Sequence, residues 1–340
     1  MINTVIVDDS PMVRDIIRDF LESEGSFKVI GEAGDGEEGV EMILSLNPDL
    51  VTMDIEMPRM NGLEAIERTL KKTVVPIVVI TSQDTAKTAY EATVRGALEF
   101  YPKDLFTASL SPAKQREIYE TLKRISGIKA SRPARLPGEP AVKPLEKRKI
   151  DAVVIASSTG GPKALSRFFS LMPGDFPAPV IVVQHNSSGF DKGFAQWLDT
   201  YTPLEVKLAE DGEIPLAGKV YIAQTDRHLV LRKNGAAPRL AYTDDPPENN
   251  QKPAADALFR SAAEHLKESV VSVVFTGMGG DGAAGTRRIR EMGGITLAQD
   301  EESSLIYGMP RAAVETGCVD LVLPLDRIAP ELDALVRGGA

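Results

Sequence analysis

The sequence is short of cysteine and of positive charge, and each shortage excludes a class of protein. A single cysteine, Cys318, excludes an intrachain disulfide framework and fits a reducing compartment. We expect Cys318 to be a small buried apolar residue rather than a catalytic one. With 39 Lys and Arg against 49 Asp and Glu, the formal net charge is −10. This balance argues against general binding to nucleic acid or to anionic membranes.

Long hydrophobic runs are also absent. No apolar stretch approaches the roughly 20 residues that a membrane-spanning helix needs. Residues 1–4 lead directly into a strand pattern, without the basic segment and apolar core of a signal peptide. We therefore expect a cytoplasmic protein with no nucleic-acid partner and no direct membrane insertion.

Two stretches of the chain alternate short apolar runs with helical patterns. Residues 1–125 and 150–340 both show this alternation, which predicts two α/β domains, each doubly wound around a mostly parallel sheet. Residues 126–149 between them contain four prolines and no apolar periodicity, and we interpret them as a semi-rigid basic linker. In the second domain we expect a hairpin around residues 221–232.

Five residues that follow apolar runs of the first domain are expected to converge on one sheet edge: Asp8, Asp9, Asp54, Thr81 and Lys103. Clustered carboxylates repel one another, so this set suits a hard cation such as Mg²⁺. With the metal bound, one carboxylate can attack a phosphoryl donor, and Thr81 and Lys103 can hold the product oxygens. The alternative is a group of solvated loop acids, which five such residues in order disfavour.

The segments 7–10 (Val-Asp-Asp-Ser) and 54–62 (Asp-Ile-Glu-Met-Pro-Arg-Met-Asn-Gly) make the first 125 residues resemble the receiver domain of two-component response regulators. The resemblance implies a flavodoxin-like fold and phosphorylation of Asp54, with a histidine kinase as donor. The Mg²⁺ ligands that it implies are Asp8, Asp9, Asp54 and the backbone carbonyl of Glu56. The switch residues that it implies are Thr81, Lys103 and Phe100. The family usually has proline after the lysine, and here Asp104 stands there.

A second candidate site begins with the segment 156–161 (Ala-Ser-Ser-Thr-Gly-Gly), between a strand and a helical pattern. Small residues at such a turn expose a serine hydroxyl beside backbone N–H donors, which is the arrangement of a nucleophile elbow with Ser158 at its tip. Of the three histidines, His185 follows a strand and should reach the same edge. His228 is a weaker candidate base, and His265 lies in a charged helical pattern. Asp281, in a glycine-rich loop after another strand, is the best orienting acid.

Each of these residues also has a simpler explanation. The Gly160-Gly161 pair could bind phosphate at a helix N-terminus, although no complete dinucleotide or P-loop pattern is present. His185 could bond only to a backbone carbonyl, and Asp281 could only cap the helix that follows it. Three such residues at three strand ends favour a Ser-His-Asp hydrolase, with the glycine-rich loop offering N–H groups to an oxyanion.

Residues 151 to about 335 resemble the catalytic domain of the chemotaxis protein-glutamate methylesterases, the CheB family. The matching segments are 158–161, 184–185, 276–285, 298–301 and 307–310. The resemblance implies Ser158 as nucleophile, His185 as base and Asp281 as its partner, with oxyanion contacts from the backbone of Thr159 and Met278. It implies methylated glutamates of chemoreceptors as substrates, deamidation of receptor glutamines in some members, and no cofactor for the ester chemistry.

The chain departs from this family around the site. Ala156-Ser157 replaces the usual Gly-Ala, Asn186-Ser187-Ser188 replaces Met-Pro-Pro, and Lys252 replaces an arginine before Pro253. Gln224 stands in a segment where the family favours Ala-Pro-Gly-Gly. The prediction is a phosphorylation-activated methylesterase. The alternative is a catalytically weak response regulator whose second domain only docks on receptors.

Overall fold

The computed structural model describes residues 1–82, 86–107, 110–128, 149–234 and 237–338. It divides into two units, Met1–Ala134 and Arg135–Ala340. Most of the predicted proline-rich linker, residues 129–148, lies outside the described residues. No helix in the described ranges is long and apolar enough to cross a membrane.

The first unit is built on a five-stranded parallel sheet with the order β2-β1-β3-β4-β5. The strands are β1 (Ile2–Val7), β2 (Phe27–Ala33), β3 (Leu50–Met53), β4 (Ile77–Thr81) and β5 (Glu99–Pro102). The helices are α1 (Pro11–Ser23), α2 (Gly36–Leu46), α3 (Gly62–Leu70), α4 (Ala86–Arg95), α5 (Asp104–Thr107) and α6 (Pro112–Ser126). This is the predicted doubly wound α/β fold.

Helices of the first unit begin where side-chain acceptors satisfy their free backbone N–H groups. Asp35 accepts from the amides of Glu37 and Glu38 at 2.8 and 3.0 Å and so begins α2. Ser111 accepts from the amide of Lys114 at 3.3 Å, and Pro112 takes the first position of α6. The same serine and proline predict this helix start in the sequence.

The second unit has a seven-stranded parallel sheet with the order β14-β13-β12-β6-β7-β9-β8. The sheet strands are β6 (Ala152–Ser157), β7 (Val180–Gln184), β8 (Glu205–Leu208), β9 (Lys219–Ile222), β12 (Val270–Val274), β13 (Ile295–Gln299) and β14 (Leu321–Leu323); an antiparallel pair is formed by β10 (His228–Asn234) and β11 (Ala237–Thr243). The helices are α7 (Gly161–Ser170), α8 (Asp191–Leu198), α9 (Ala255–Leu266), α10 (Ala283–Glu291), α11 (Met309–Glu315) and α12 (Leu325–Arg337).

The predicted position of the hairpin, residues 221–232, is wrong. Tyr221 lies in β9, which is fully buried at this residue and pairs in parallel with β7 and β8. The antiparallel pair is β10 with β11, with His228 opposite Thr243. The Asn234-Gly235 sequence at the end of β10 is a hairpin signal. It lies later in the chain than the predicted hairpin.

Three adjacent strands position the second candidate site. β12, β6 and β7 are neighbours in the centre of the sheet and run in the same direction. Their cores are apolar and fully buried, with Val153, Val182 and Val273 all inaccessible to solvent. Their carboxyl ends therefore bring the segments that follow them to one edge, where ligands bind in α/β folds.

Candidate functional site

The predicted acidic cluster of the first unit is assembled at the carboxyl ends of β1 and β3. Asp8 and Asp54 are buried, and Asp9 beside them is exposed. One carboxylate oxygen from each of the three lies within 4.8 Å of the others. Lys103, after β5, places its ammonium 2.8 Å from Asp8 and 2.7 Å from Asp54. One cation thus balances two buried carboxylates, and their oxygens form a set that suits a hard divalent ion.

The electrostatics of this cluster follow from burial and from the lysine. Burial raises the pKa of Asp54, and the hydrogen bond from Lys103 acts in the opposite direction. Burial also disfavours the charged lysine, but its bonds to Asp54 and Asp8 outweigh this and raise the pKa of Lys103. Lys103 is therefore held as an ammonium. Among the described residues, no second cation forms an ion pair with Asp8 or Asp54.

The other predicted residues of this site lie around the cluster. Thr81 is buried at the end of β4, and its carbonyl accepts from the Lys103 amide at 2.8 Å. Phe100 packs edge-on against Tyr90, with ring centroids 4.7 Å apart. Glu56 is exposed in the loop after β3, and its role as a carbonyl ligand remains a prediction.

Two sequence details of the first site have local explanations. Asp104 replaces the usual proline and begins the short helix α5, while Lys103 keeps its bonds to both carboxylates. Gly62 closes the segment that starts at Asp54, and a Cβ there would collide with the Asp54 carbonyl. Glycine is required by this close backbone approach.

Ser158 lies at the strand-to-helix turn that the sequence predicts. It follows β6 directly, is partly exposed, and its amide donates to Thr276 O at 3.1 Å. Gly160 has a left-handed φ of 76°, which lets the chain turn sharply into α7. Gly277, after β12, packs so closely that a Cβ there would lie 2.7 Å from Ser158 Cβ.

His185 and Asp281 form a buried pair at the same edge. His185 Nε2 lies 2.8 Å from Asp281 Oδ2, and their side chains are only 6% and 2% exposed. Asp281 also accepts from the amides of Ala255 and Asp256, the first two residues of α9, at 2.6 and 3.0 Å. Burial opposes ionisation, but the His185 bond and these amides outweigh it and lower the pKa of Asp281. The aspartate is held as a carboxylate that orients the imidazole.

The imidazole has one nitrogen left for chemistry. Nε2 is bonded to Asp281, whereas Nδ1 is buried and has no hydrogen-bond partner within the described residues. The described residues show no hydrogen bond from Ser158 Oγ to this nitrogen. Nucleophile and base contacts often tighten only when substrate binds. The structure therefore brings His185 and Asp281 together and places Ser158 on the same edge without bonding it to the base.

Gln184 also belongs to this site, although the sequence analysis assigns it no role. Its amide nitrogen donates to the carbonyls of Ser158 and His185 at 3.0 and 2.9 Å. Its oxygen accepts from the buried hydroxyl of Ser157 at 2.7 Å. One side chain thus ties the nucleophile turn to the base. The sequence feature that could have indicated this role is the position of Gln184, which directly precedes His185 at the end of β7.

The predicted oxyanion residues lie in the two segments that meet at Ser158. Thr159 is buried, and its carbonyl accepts from the Thr276 hydroxyl at 3.0 Å. Met278 is partly exposed in the glycine-rich loop after β12. Their roles as amide donors to an oxyanion remain predictions.

The other histidines and the cysteine are not part of the site. His228 is buried; its Nδ1 accepts from the Ala254 amide at 3.0 Å, and its Nε2 donates to Pro246 O at 3.1 Å. Both nitrogens are occupied, so His228 is structural. His265 lies in the last turn of α9. Cys318 is half-buried rather than buried as predicted, and its Sγ donates to the Thr316 carbonyl at 3.6 Å.

Three of the altered rim side chains have hydrogen-bond partners, two of them in other loops. Gln224 donates to Ala209 O at 3.0 Å, and Lys252 donates to Asp244 O at 3.1 Å. Ser188 donates to Asp226 at 2.6 Å. Asn186 is different, because its side-chain nitrogen is buried without a partner within the described residues.

Comparisons with known proteins match both units. The family model described as CheB methylesterase matches residues 153–332, and the response regulator receiver domain model matches residues 4–113. A protein-glutamate methylesterase/protein-glutamine glutaminase of Pyrococcus abyssi is 39% identical over 99% of this chain and 95% of its own length. One of Clostridium acetobutylicum is 41% identical over 99% and 98%. The solved CheB methylesterase catalytic domain of Thermotoga maritima is 41% identical and has a TM-score of 0.54. The match covers 55% of this chain and 100% of that domain.

Proposed function

Because the chain belongs to the CheB methylesterase family and carries a receiver domain, we propose that it is a phosphorylation-activated hydrolase of methyl esters on protein glutamates. The observation that carries this proposal is the buried His185–Asp281 pair beside Ser158, with Nε2 and Oδ2 at 2.8 Å. This pair leaves His185 Nδ1 available as a base at the sheet edge where Ser158 is partly exposed.

The proposed reaction has two halves. Ser158 Oγ attacks the ester carbonyl while His185 Nδ1 takes its proton, and the same nitrogen returns the proton to the departing methanol. Water then attacks the acyl-enzyme, giving its proton to His185, and the glutamate carboxylate leaves as Ser158 regains its hydrogen. Asp281 stays ionised throughout and stabilises the imidazolium that forms in each half. Amides of Thr159 and Met278 would donate to the oxyanion.

Methanol release from a methylated chemoreceptor fragment tests this function. The wild-type protein should release methanol, and Ser158→Ala should lose on the order of 10⁴-fold in rate. Ammonia release from an unmodified receptor fragment tests the glutaminase reaction separately. Equal rates for wild type and Ser158→Ala would favour the alternative, a second domain that only docks on receptors.

The first unit is proposed to carry the regulatory phosphate. Asp54 would attack a phosphoryl donor, and Lys103 would hold the product oxygens. The acidic cluster fits Mg²⁺, with Asp8, Asp9, Asp54 and the Glu56 carbonyl as its ligands. When bound, the ion would supply the positive charge that lets the carboxylate and phosphate approach.

Phosphate incorporation tests the receiver proposal. Incorporation from a small-molecule donor should require Mg²⁺ and should disappear in Asp54→Asn, and labelling that persists in this variant would contradict it. We propose a histidine kinase as the donor in the cell and methyl-accepting chemoreceptors as the substrates. Both assignments rest on the family, and they agree with a cytoplasmic location.

A further inference from the structure

Two buried carboxylates cap each other's helices behind the base. Asp281, just before α10, accepts from the first two amides of α9 at 2.6 and 3.0 Å. Asp256, the second residue of α9, accepts from the amide of Gly285 in α10 at 2.6 Å. The N-terminus of α9 therefore stabilises the charge of Asp281, and the N-terminus of α10 stabilises the charge of Asp256.

This arrangement places like charges side by side in a buried site. Asp256 is 4% exposed; burial raises its pKa, and the charge of Asp281 adds to the effect. The amide nitrogen of Asn249 reaches both groups, donating to Asp256 Oδ2 at 2.9 Å and to Asp281 Oδ1 at 3.2 Å. A neutral side chain with two N–H donors is thus shared between two acids that repel each other.

The backbone around Asn249 holds this amide in place. Glu248 and Gln251 exchange two backbone hydrogen bonds at 2.8 and 3.1 Å, which closes a tight turn. Asn249 and Asn250 occupy its centre with φ of 52° and 62°, the combination of a type I′ turn, which favours asparagine. Arg260 of α9 binds the Glu248 carboxylate at 2.6 and 2.8 Å and ties the turn to the helix.

We propose that Asn249 is a positioning residue for the His185–Asp281 pair, and that its amide holds Asp281 oriented toward His185 beside the second carboxylate of Asp256. This inference rests on the proposed hydrolase function. Asn249 acts through Asp281 and makes no contact with substrate in this proposal. Asn250 shares its residue type, its turn and its backbone conformation, but the described residues offer no hydrogen bond to its side chain.

The matched pair Asn249→Ala and Asn250→Ala separates positioning from turn formation. Both variants place alanine at a left-handed position of the same turn, so they should share the same backbone cost. Asn249→Ala should lower kcat for methanol release about tenfold with KM nearly unchanged, because the hydrogen bond that orients Asp281 is lost. Asn250→Ala should keep the wild-type kcat.

A second pair, Asn249→Asp and Asn250→Asp, tests the electrostatic part without substrate. The imidazole bonds to Asp281, Asp256 lies beside Asp281, and the Glu248–Arg260 pair belongs to the Asn249 turn. An acid at position 249 would repel Asp281 instead of donating to it, so the pH dependence of the His185 NMR signals should differ from that of the wild type. The same charge at position 250 should have a smaller effect. His228 and His265 serve as internal references in a chain with three histidines.

Equal kcat losses in the two alanine variants, or wild-type kcat in Asn249→Ala, would overturn the proposal. So would an unchanged His185 titration in Asn249→Asp. Failure of the proposed hydrolase function would look different. The wild-type protein itself would then release no methanol, while the NMR titration would still report on the Asn249 contact.

Discussion

Ser157 and Ser158 are adjacent hydroxyls in opposite environments. The Ser157 side chain is fully buried and donates to Gln184, whereas Ser158 is partly exposed at the turn. Ser157→Ala should lower the free energy of unfolding by about 1–3 kcal/mol, because Gln184 Oε1 loses its partner. Methanol release should stay within about tenfold of wild type.

Ser158→Ala is the comparison variant for this prediction. It should unfold like the wild type while its methanol release falls by about 10⁴-fold or more. The reverse pattern, an inactive Ser157→Ala beside an active Ser158→Ala, would place the nucleophile one residue earlier.

Asp281 links stability to pH with a defined sign. Despite its burial, the bonds to His185 and to the α9 amides lower its pKa in the folded protein. The carboxylate therefore stabilises the fold above its unfolded pKa, and this contribution is lost as pH falls through the lowered folded value. At neutral pH, Asp281→Asn should lose about 1.5–3 kcal/mol of unfolding free energy. The difference in unfolding free energy between Asp281→Asn and the wild type should become smaller at acidic pH.

Urea unfolding at several pH values checks this prediction. Trp197 is the only tryptophan and is buried in the second unit, so its fluorescence reports that unit alone. Glu302→Gln, at an exposed acid, should have little effect at any pH. A deficit of Asp281→Asn that grows as the pH falls through the acid range would contradict the assignment.

Three of the candidate site residues stand out in the sequence because each directly follows an apolar strand. Ser158 and His185 come one residue after β6 and β7, and Asp54 comes one residue after β3. Gln184 and Asn249 could not be assigned roles in the same way, because their partners lie in other segments of the chain. The hydrogen bond from the Gln184 side chain to the Ser158 carbonyl, for example, joins residues 26 positions apart. Such a bond leaves no periodic pattern in the sequence.

At the scale of elements, the glycine-rich loop after β12 must approach the nucleophile turn closely. In Gly277→Ala the new Cβ would lie 2.7 Å from Ser158 Cβ and would also meet the Met309 sulfur. Displacing the nucleophile by a fraction of an ångström to 1 Å should reduce methanol release by up to about 10²-fold. Overpacking should also cost about 1–3 kcal/mol of stability.

Gly280→Ala in the same loop is the matched control. Its Cβ would lie 3.6 Å from Ala312 Cβ, an ordinary contact, so rate and stability should remain near wild type. Rates that fall equally in both variants would mean that the loop needs general flexibility rather than a close approach at residue 277.

One strand that the sequence patterns miss lies at an edge of the sheet. β8 (Glu205–Leu208) alternates charged and apolar residues at the sheet edge, so it lacks the continuous apolar run of a central strand. The β10–β11 pair was misplaced because residues 219–223 and 229–231 were both apolar and close together. The central strands β6, β7 and β12 are all predicted correctly, since burial on both faces demands continuous apolar residues.

At the scale of the whole molecule, the proposed phosphorylation site and the proposed esterase site lie in separate units. In the unphosphorylated protein, Lys103 is shared by Asp8 and Asp54 at 2.8 and 2.7 Å. A phosphoryl group on Asp54 adds roughly −1.5 to −2 charges and competes for this ammonium. The receiver therefore has a candidate charge switch, and we propose that the linker lets it act on the hydrolase of the second unit.

The full-length protein should release methanol faster when a small phosphoryl donor and Mg²⁺ are added together. A tenfold increase requires only about 1.4 kcal/mol of difference between the two states. Asp54→Asn should keep the basal rate and show no response, and a segment beginning at Lys149 should be active and equally unresponsive. Its independent folding is expected because the 41% identical Thermotoga maritima catalytic domain has been solved alone. A donor response that survives in Asp54→Asn would show that regulation does not pass through this carboxylate.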